Sequence, residues 1–161
     1  MAALVTIEPL KAPLARVLAV EDHPEIGNLM RQALARAQVE TTIITTGEEA
    51  LKIVRQQPVD LLLLDIGLPG MSGLDVCRQL QADKTLRSIP VIFVSGQTSP
   101  AYKEEARKLG AVDFIEKPFE LLDFLSRILG HLKLRQNGRP TGLAETAMAD
   151  ALQAARSRPP G

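Results

Sequence analysis

Tryptophan is absent from this 161-residue chain, aromatic residues make up 3% of it, and Cys77 is its only cysteine. With so few rings, the core has to be built from Leu, Val, Ile and Ala. A single cysteine excludes an internal disulfide and fits a reducing compartment. Neither sign of charge is in excess: Lys+Arg and Asp+Glu number 19 each. Global charge therefore gives no argument for nucleic acid or a membrane surface. No apolar run approaches the ~18 residues that would cross a bilayer. The start, "MAALVTIEPLKAPLAR", has no basic leader followed by an unbroken apolar stretch, so no signal peptide is expected. The expectation is a cytoplasmic protein.

What is present is ordinary for one globular domain: 45% apolar and 24% charged residues. Residues 16–20, "RVLAV", read as a buried strand that runs into Glu21 and Asp22. Ile26, Leu29, Met30, Ala33, Leu34 and Ala37 then recur at helical spacing, with Pro24 at a first-turn position. "TTIITT" (41–46) is β-branched and predicts a strand; Gly47 opens a helix with Ala50, Leu51 and Val54. "VDLLLLD" (59–65) is continuously apolar, short, and bounded by Pro58 and a Gly/Pro loop. That is the mark of a strand buried on both faces. A helix with Leu74, Val76, Cys77 and Leu80 follows, then the strand "IPVIFVSG" (89–96) and a charged helix over 99–109 closed by Gly110. "AVDFIEK" (111–117) predicts a fifth strand. Leu121, Leu122, Leu125, Ile128, Leu129 and Leu132 predict a fifth helix. Five strand–helix repeats argue for an α/β fold with a parallel, doubly wound sheet.

Beyond Gln136 the pattern weakens. "RQNGRPTG" reads as a linker, and "LAETAMADALQAARS" as a short amphipathic helix too marginal to stand alone. From Lys133 onward five basic residues face two acidic ones, a net of +3, which reads as a solvated tail rather than a nucleic-acid contact.

The chemistry collects where the strands end. The first ends on Glu21 and Asp22, the third on Asp65, the fourth on Ser95, the fifth on Lys117. Open parallel sheets bind ligands beyond those carboxyl ends, near the point where strand order reverses. Two carboxylates ~4 Å apart repel by ~4 kcal/mol at an effective dielectric near 20. Three in one pocket need protons, a lysine or a hard cation. Oxygen donors alone favour Mg²⁺, Mn²⁺ or Ca²⁺ over zinc. With Lys117 to neutralise charge and Ser95 to donate, the set suits a phosphoryl group. His23, beside the acids, reads as a solvated loop residue, and Cys77 and Met30 as core. Any one of Asp22, Asp65 or Ser95 could simply cap a helix. "GLPGMSG" is neither a dinucleotide fingerprint nor a P-loop and reads as a turn entering a helix.

"VLAVEDHPE", "LLLLDIGLPGMSG", "VIFVSG" and "GAVDFIEKPF" together resemble the bacterial two-component response-regulator receiver domain, of the chemotaxis-regulator kind. The resemblance covers residues 15–134, with 1–14 an N-terminal extension and 135–161 a linker and tail. It implies a flavodoxin-like strand order of 2-1-3-4-5. It implies that Asp65 accepts a phosphoryl group from a histidine kinase or phosphotransfer protein. Mg²⁺, or Mn²⁺ in its place, would be held by Asp22 directly, Glu21 through water, Asp65, and the main-chain carbonyl of Gly67. Ser95 and Phe114 match the switch pair, Lys117 the phosphate-contacting lysine, and Lys117–Pro118 a cis peptide. Pro69 and Gly73 fit the D-x-x-x-P-x-x-x-G loop. The implied output is a downstream protein, or a homodimer, at the face of the fourth helix, fifth strand and fifth helix. The implied role is signalling, with at most self-phosphorylation and autodephosphorylation as activity. The 27 residues after 134 are too few for a winged-helix or cyclase output. That suggests a single-domain regulator, with a fragment of a hybrid histidine kinase as the variant reading.

Two departures concern the loops: Gly67 stands two after Asp65, and Gln97 two after Ser95. Gly67 also weighs against a haloacid-dehalogenase-type phosphatase, which needs a second aspartate there. A flavin carrier of flavodoxin-like fold would need a phosphate loop where "EDHPE" is anionic.

Overall fold

The computed structural model describes residues 13–135, and five strand–helix units occupy that span. They are β1 (Ala15–Val20), α1 (Pro24–Ala35), β2 (Val39–Ile44), α2 (Gly47–Gln56), β3 (Leu61–Leu64), α3 (Gly73–Ala82), β4 (Val91–Ser95), α4 (Pro100–Lys108), β5 (Asp113–Glu116) and α5 (Leu121–Arg135). The strands pair in parallel in the order β2-β1-β3-β4-β5. This is the doubly wound α/β fold expected from the sequence. The expectations for the tail helix and for most of the N-terminal extension lie outside the described residues.

The unbroken apolar runs have a direct cause. Successive side chains of a strand point to opposite faces, and here both faces are covered. Leu18, Val20, Leu62, Leu64, Val91 and Phe93 pack on one face against Leu51 and Val54 of α2, Val76 and Leu80 of α3 and Ala106 of α4. Val17, Ala19, Leu61, Leu63, Ile92, Val94 and Ile115 pack on the other against Met30 and Leu34 of α1 and Phe124, Ile128 and Leu132 of α5. Leu61 through Leu64 are all essentially fully buried, two to each side. Cys77 is part of this core. Burial pushes its thiol up to about 11, so it is inert rather than reactive.

Hydroxyl side chains set where α2, α3 and α4 start. Thr46 Oγ1 accepts from Glu49 N at 3.3 Å, Ser72 Oγ from Asp75 N at 3.2 Å, and Ser99 Oγ from Tyr102 N at 3.3 Å. Thr46 therefore caps α2 and does not belong to β2. The β2 ladder runs over Val39–Ile44, two residues earlier than the β-branched run suggests. β3 and β5 are likewise shorter than their apolar stretches.

Candidate functional site

β1 turns out of the sheet to β2 on one side, and the chain returns to β3 on the other. The strand order therefore reverses between β1 and β3. The crevice at that point opens at the carboxyl ends of both strands. Backbone bonds hold the residues just past each strand level with one another. Glu21 N donates to Ile44 O at 2.9 Å, Asp65 N to Val20 O at 3.3 Å, and Lys117 N to Ser95 O at 3.0 Å. The Lys117–Pro118 peptide is cis.

Asp65 lies at the floor of the crevice, 6% exposed. Its Oδ1 accepts from Ser95 Oγ at 2.9 Å and from Gly67 N at 3.1 Å. Its Oδ2 accepts from Lys117 Nζ at 2.8 Å. Ser95 is fully buried, and its hydroxyl accepts from Gln97 N at 3.1 Å. Gly73 explains the glycine at the far end of the loop. A Cβ there would sit 2.1 Å from the carbonyl oxygen of Asp65, so any side chain would push the backbone of Asp65 aside. At Gly67 a Cβ would lie 2.5 Å from Nε2 of Gln97, whose carboxamide lies over this bare stretch of backbone.

Glu21 is 2% exposed and carries three partners. Lys117 Nζ donates to Oε2 at 2.5 Å, His23 N donates to Oε1 at 3.1 Å, and His23 Nδ1 lies 2.9 Å from the same oxygen. Asp22 is exposed, with His23 Nδ1 at 3.2 Å from its Oδ1. Lys117 thus bridges two acids 96 and 52 residues away in sequence. Burial alone would lower its pKa. The hydrogen bonds and charges of Asp65 and Glu21 outweigh that, and the net shift is upward. The side chain is an ammonium at neutral pH. His23 is shifted upward as well, chiefly by its hydrogen bond to Glu21 and by Asp22.

Three carboxylates against one ammonium leave the pocket with a formal charge of −2 when His23 is neutral. Ligand atoms of Glu21, Asp22, His23 and Asp65 all lie within 4.8 Å of one another. A hard divalent cation fits both the charge and the oxygen donors.

The structure brings Glu21, Asp22, Asp65, Gly67, Ser95 and Lys117 to one crevice. Phe114 lies apart from it. Its half-buried ring is 6.2 Å from that of Phe93, with Lys103 Nζ 5.9 Å above its centroid. Lys103 also pairs with Glu116, and Arg127 Nη1 donates to Phe114 O at 3.0 Å. Ser95, matched to the switch hydroxyl, donates to Asp65 in this structure. His23 is an exposed loop residue, as read from the sequence, and its ring also lies against both neighbouring acids. Its position directly after the acid pair was the available signal.

The chain belongs to the response regulator receiver domain family, whose family model matches residues 17–129. It is similar to the DNA-binding response regulator MtrA of Mycolicibacterium smegmatis, 33% identical over 122 residues that make up 76% of this chain and 52% of MtrA. A probable cyclic di-GMP phosphodiesterase of Vibrio cholerae is 36% identical over 121 residues, 75% of this chain and 27% of that protein. Among solved structures, the signal receiver domain of a signal transduction histidine kinase from Syntrophus aciditrophicus matches with a TM-score of 0.71 at 28% identity, covering 78% of this chain and 96% of that one. The chain spans about half the length of curated relatives such as MtrA, and 27% of the phosphodiesterase. The family is that of two-component signal transduction, a signalling domain shared by proteins of different outputs. Among the described residues no helix is long and apolar enough to cross a membrane.

Proposed function

We propose that residues 15–134 accept a phosphoryl group on Asp65 from a phosphohistidine donor in the cytoplasm and pass the signal on by protein contact. One observation supports this above the rest. The Asp65 carboxylate faces the crevice with a hydroxyl and a main-chain N–H on one oxygen and an ammonium on the other. Phosphoryl transfer needs little covalent help from a protein; it needs an in-line nucleophile and groups that stabilise charge on the transferring oxygens. An Asp65 oxygen attacks phosphorus, the P–N bond of the donor breaks, and its electron pair stays on the departing imidazole. Lys117 Nζ moves from Asp65 Oδ2 to a phosphoryl oxygen and keeps Glu21 as its second partner. Ser95, anchored by Gln97 N, shifts its hydrogen bond from Oδ1 to another phosphoryl oxygen.

The donor set fits Mg²⁺, with Asp22, Asp65 and the Gly67 carbonyl as its ligands. When bound, the ion would neutralise charge on the phosphoryl oxygens. Glu21 is committed to Lys117 and His23, which suits a role through water. A groove of about 420 Å³ between α4, β5 and α5, lined by Lys103, Phe114, Phe119 and Arg127, is the surface that would carry the signal to a downstream protein or a second copy. Phe114 would move once Ser95 moves, taking its ring from beneath Lys103, which keeps Glu116 as its partner.

A phosphatase of the haloacid-dehalogenase kind is disfavoured, because Gly67 supplies no proton donor where that chemistry needs one. The test is incubation with a small phosphodonor such as acetyl phosphate, read by intact mass. With millimolar Mg²⁺ the chain is expected to gain one phosphoryl group, labile to hydroxylamine as an acyl phosphate is. With a chelator the gain is expected to fall by at least about tenfold, since the ion contributes several kcal/mol of charge stabilisation. Equal labelling in both would remove the metal from the reading.

A further inference from the structure

We infer that His23 supplies an imidazole nitrogen to the divalent-ion centre, so that the site prefers nitrogen-accepting first-row transition ions to Mg²⁺. This rests on the metal-assisted reading above and deepens it. The placement comes first. His23 is the N-cap of α1, yet its side chain makes no capping bond, and Pro24 fixes the backbone directly after it. The ring, 65% exposed, lies against the acid pair. Nδ1 lies 2.9 Å from Glu21 Oε1 and 3.2 Å from Asp22 Oδ1. Ligand atoms on opposite sides of one small divalent ion lie ~4.2 Å apart, twice a bond of ~2.1 Å. The four candidate atoms here span no more than 4.8 Å, so little movement separates the present arrangement from a shared ion.

Donors are shared unevenly among the acids. Glu21 Oε2 accepts from Lys117 and Oε1 from His23 N. Asp65 already accepts from Ser95, Gly67 N and Lys117. Asp22 is the one carboxylate in the crevice with no main-chain or lysine donor on it among the hydrogen bonds described. An ion held by oxygens alone has Asp22, Asp65 and the Gly67 carbonyl, and keeps water at its remaining positions. An ion that takes imidazole can use Nδ1, 3.2 Å from Asp22 Oδ1. Facing acceptor-only oxygens, Nδ1 now carries a proton, which leaves to solvent as the ion binds. Imidazole donors favour transition ions, whereas Mg²⁺ is held by carboxylates, carbonyls and water.

Mn²⁺ is the probe, since its electron paramagnetic resonance reports both affinity and donor type. Titration gives the Mn²⁺ dissociation constant, competition with Mg²⁺ gives the ratio of affinities, and pulsed spectra show whether nitrogen is bound. The chain has two histidines, and His131 is engaged elsewhere, with Asp113. The expected result is imidazole nitrogen modulation on the bound ion. It should be lost in His23→Gln, together with a fall of about tenfold or more in the Mn²⁺ to Mg²⁺ affinity ratio. Bound Mn²⁺ without nitrogen modulation, or modulation that survives His23→Gln, overturns the inference and leaves the centre itself standing. Mn²⁺ binding that is undetectable, or indifferent to Asp22→Ala, overturns the centre and the inference together.

Discussion

Asp65→Asn is expected to reduce phosphoryl incorporation to background, a loss of at least about 10³-fold, or ~4 kcal/mol of transition-state free energy. The substitution is close to isosteric. An amide oxygen can still accept from Ser95 Oγ and Gly67 N, which now lie 2.9 and 3.1 Å from Oδ1. The geometry of the loop should therefore survive. The nucleophile does not, because an uncharged amide has no carboxylate oxygen to attack phosphorus. The amide nitrogen would face Lys117 Nζ, 2.8 Å from the present Oδ2, donor against donor. Lys117 would then rest on Glu21 alone. Circular dichroism of the variant should match the parent, so that lost labelling reads as lost chemistry. Labelling at the parent level in a folded variant would remove Asp65 from the role proposed for it.

Lys117→Met should cost about 3–5 kcal/mol of folding stability near neutral pH, as removal of one partner from a buried ionic set does. Glu21 and Asp65 are 2% and 6% exposed, and each would lose its ammonium. The chain length and apolar character of methionine keep the packing, which isolates the charge. Denaturant unfolding is the measurement, and two further arms identify the cause. Adding Glu21→Gln should restore part of the loss, because one of the two uncompensated carboxylates is gone. Lowering the pH should restore part as well, because protonating either acid removes an uncompensated buried charge. In the parent the sign is the same, in a higher pH range. The folded-state pKa of Lys117 is raised, so its contribution is fully present below the ordinary lysine value and is lost as pH rises through the folded value. Phosphoryl transfer should also slow by about 10²–10³, the usual effect of removing one preorganised stabilising donor. Unchanged stability would mean that solvent already screens both acids.

Much of this was readable from residue order. Leu61 to Leu64 face two hydrophobic layers, and only a doubly covered strand tolerates such a run. Polar residues directly after four such runs then had to share one edge of the sheet. The parts that were not readable depend on contacts between distant elements or on competition between local roles. Thr45 and Thr46 have every β-strand attribute, yet Thr46 does more as the cap of α2 than as a strand residue. Glu21 reads as half of an acid pair. Lys117 at the same sheet edge is one candidate relief for the acids, but nothing in the residue order reveals that it would hold both Glu21 and Asp65. His23 is the exposed loop residue the sequence suggests, but the contact of its ring with Glu21 depends on the extended backbone before Pro24. Ser95 is legible as a hydroxyl at a strand end, but its direction toward Asp65 is set by the β3–β4 pairing and by Gln97 N.

The most direct measurement locates the phosphoryl group. The labelled chain is reduced with borohydride, which converts an aspartyl phosphate to homoserine, and is then digested and sequenced by mass spectrometry. The expected result is a single homoserine at position 65, with Asp22, Glu21 and Ser95 unmodified. A phosphoryl group traced to any other residue, or a stable phosphoester on Ser95, would contradict the assignment.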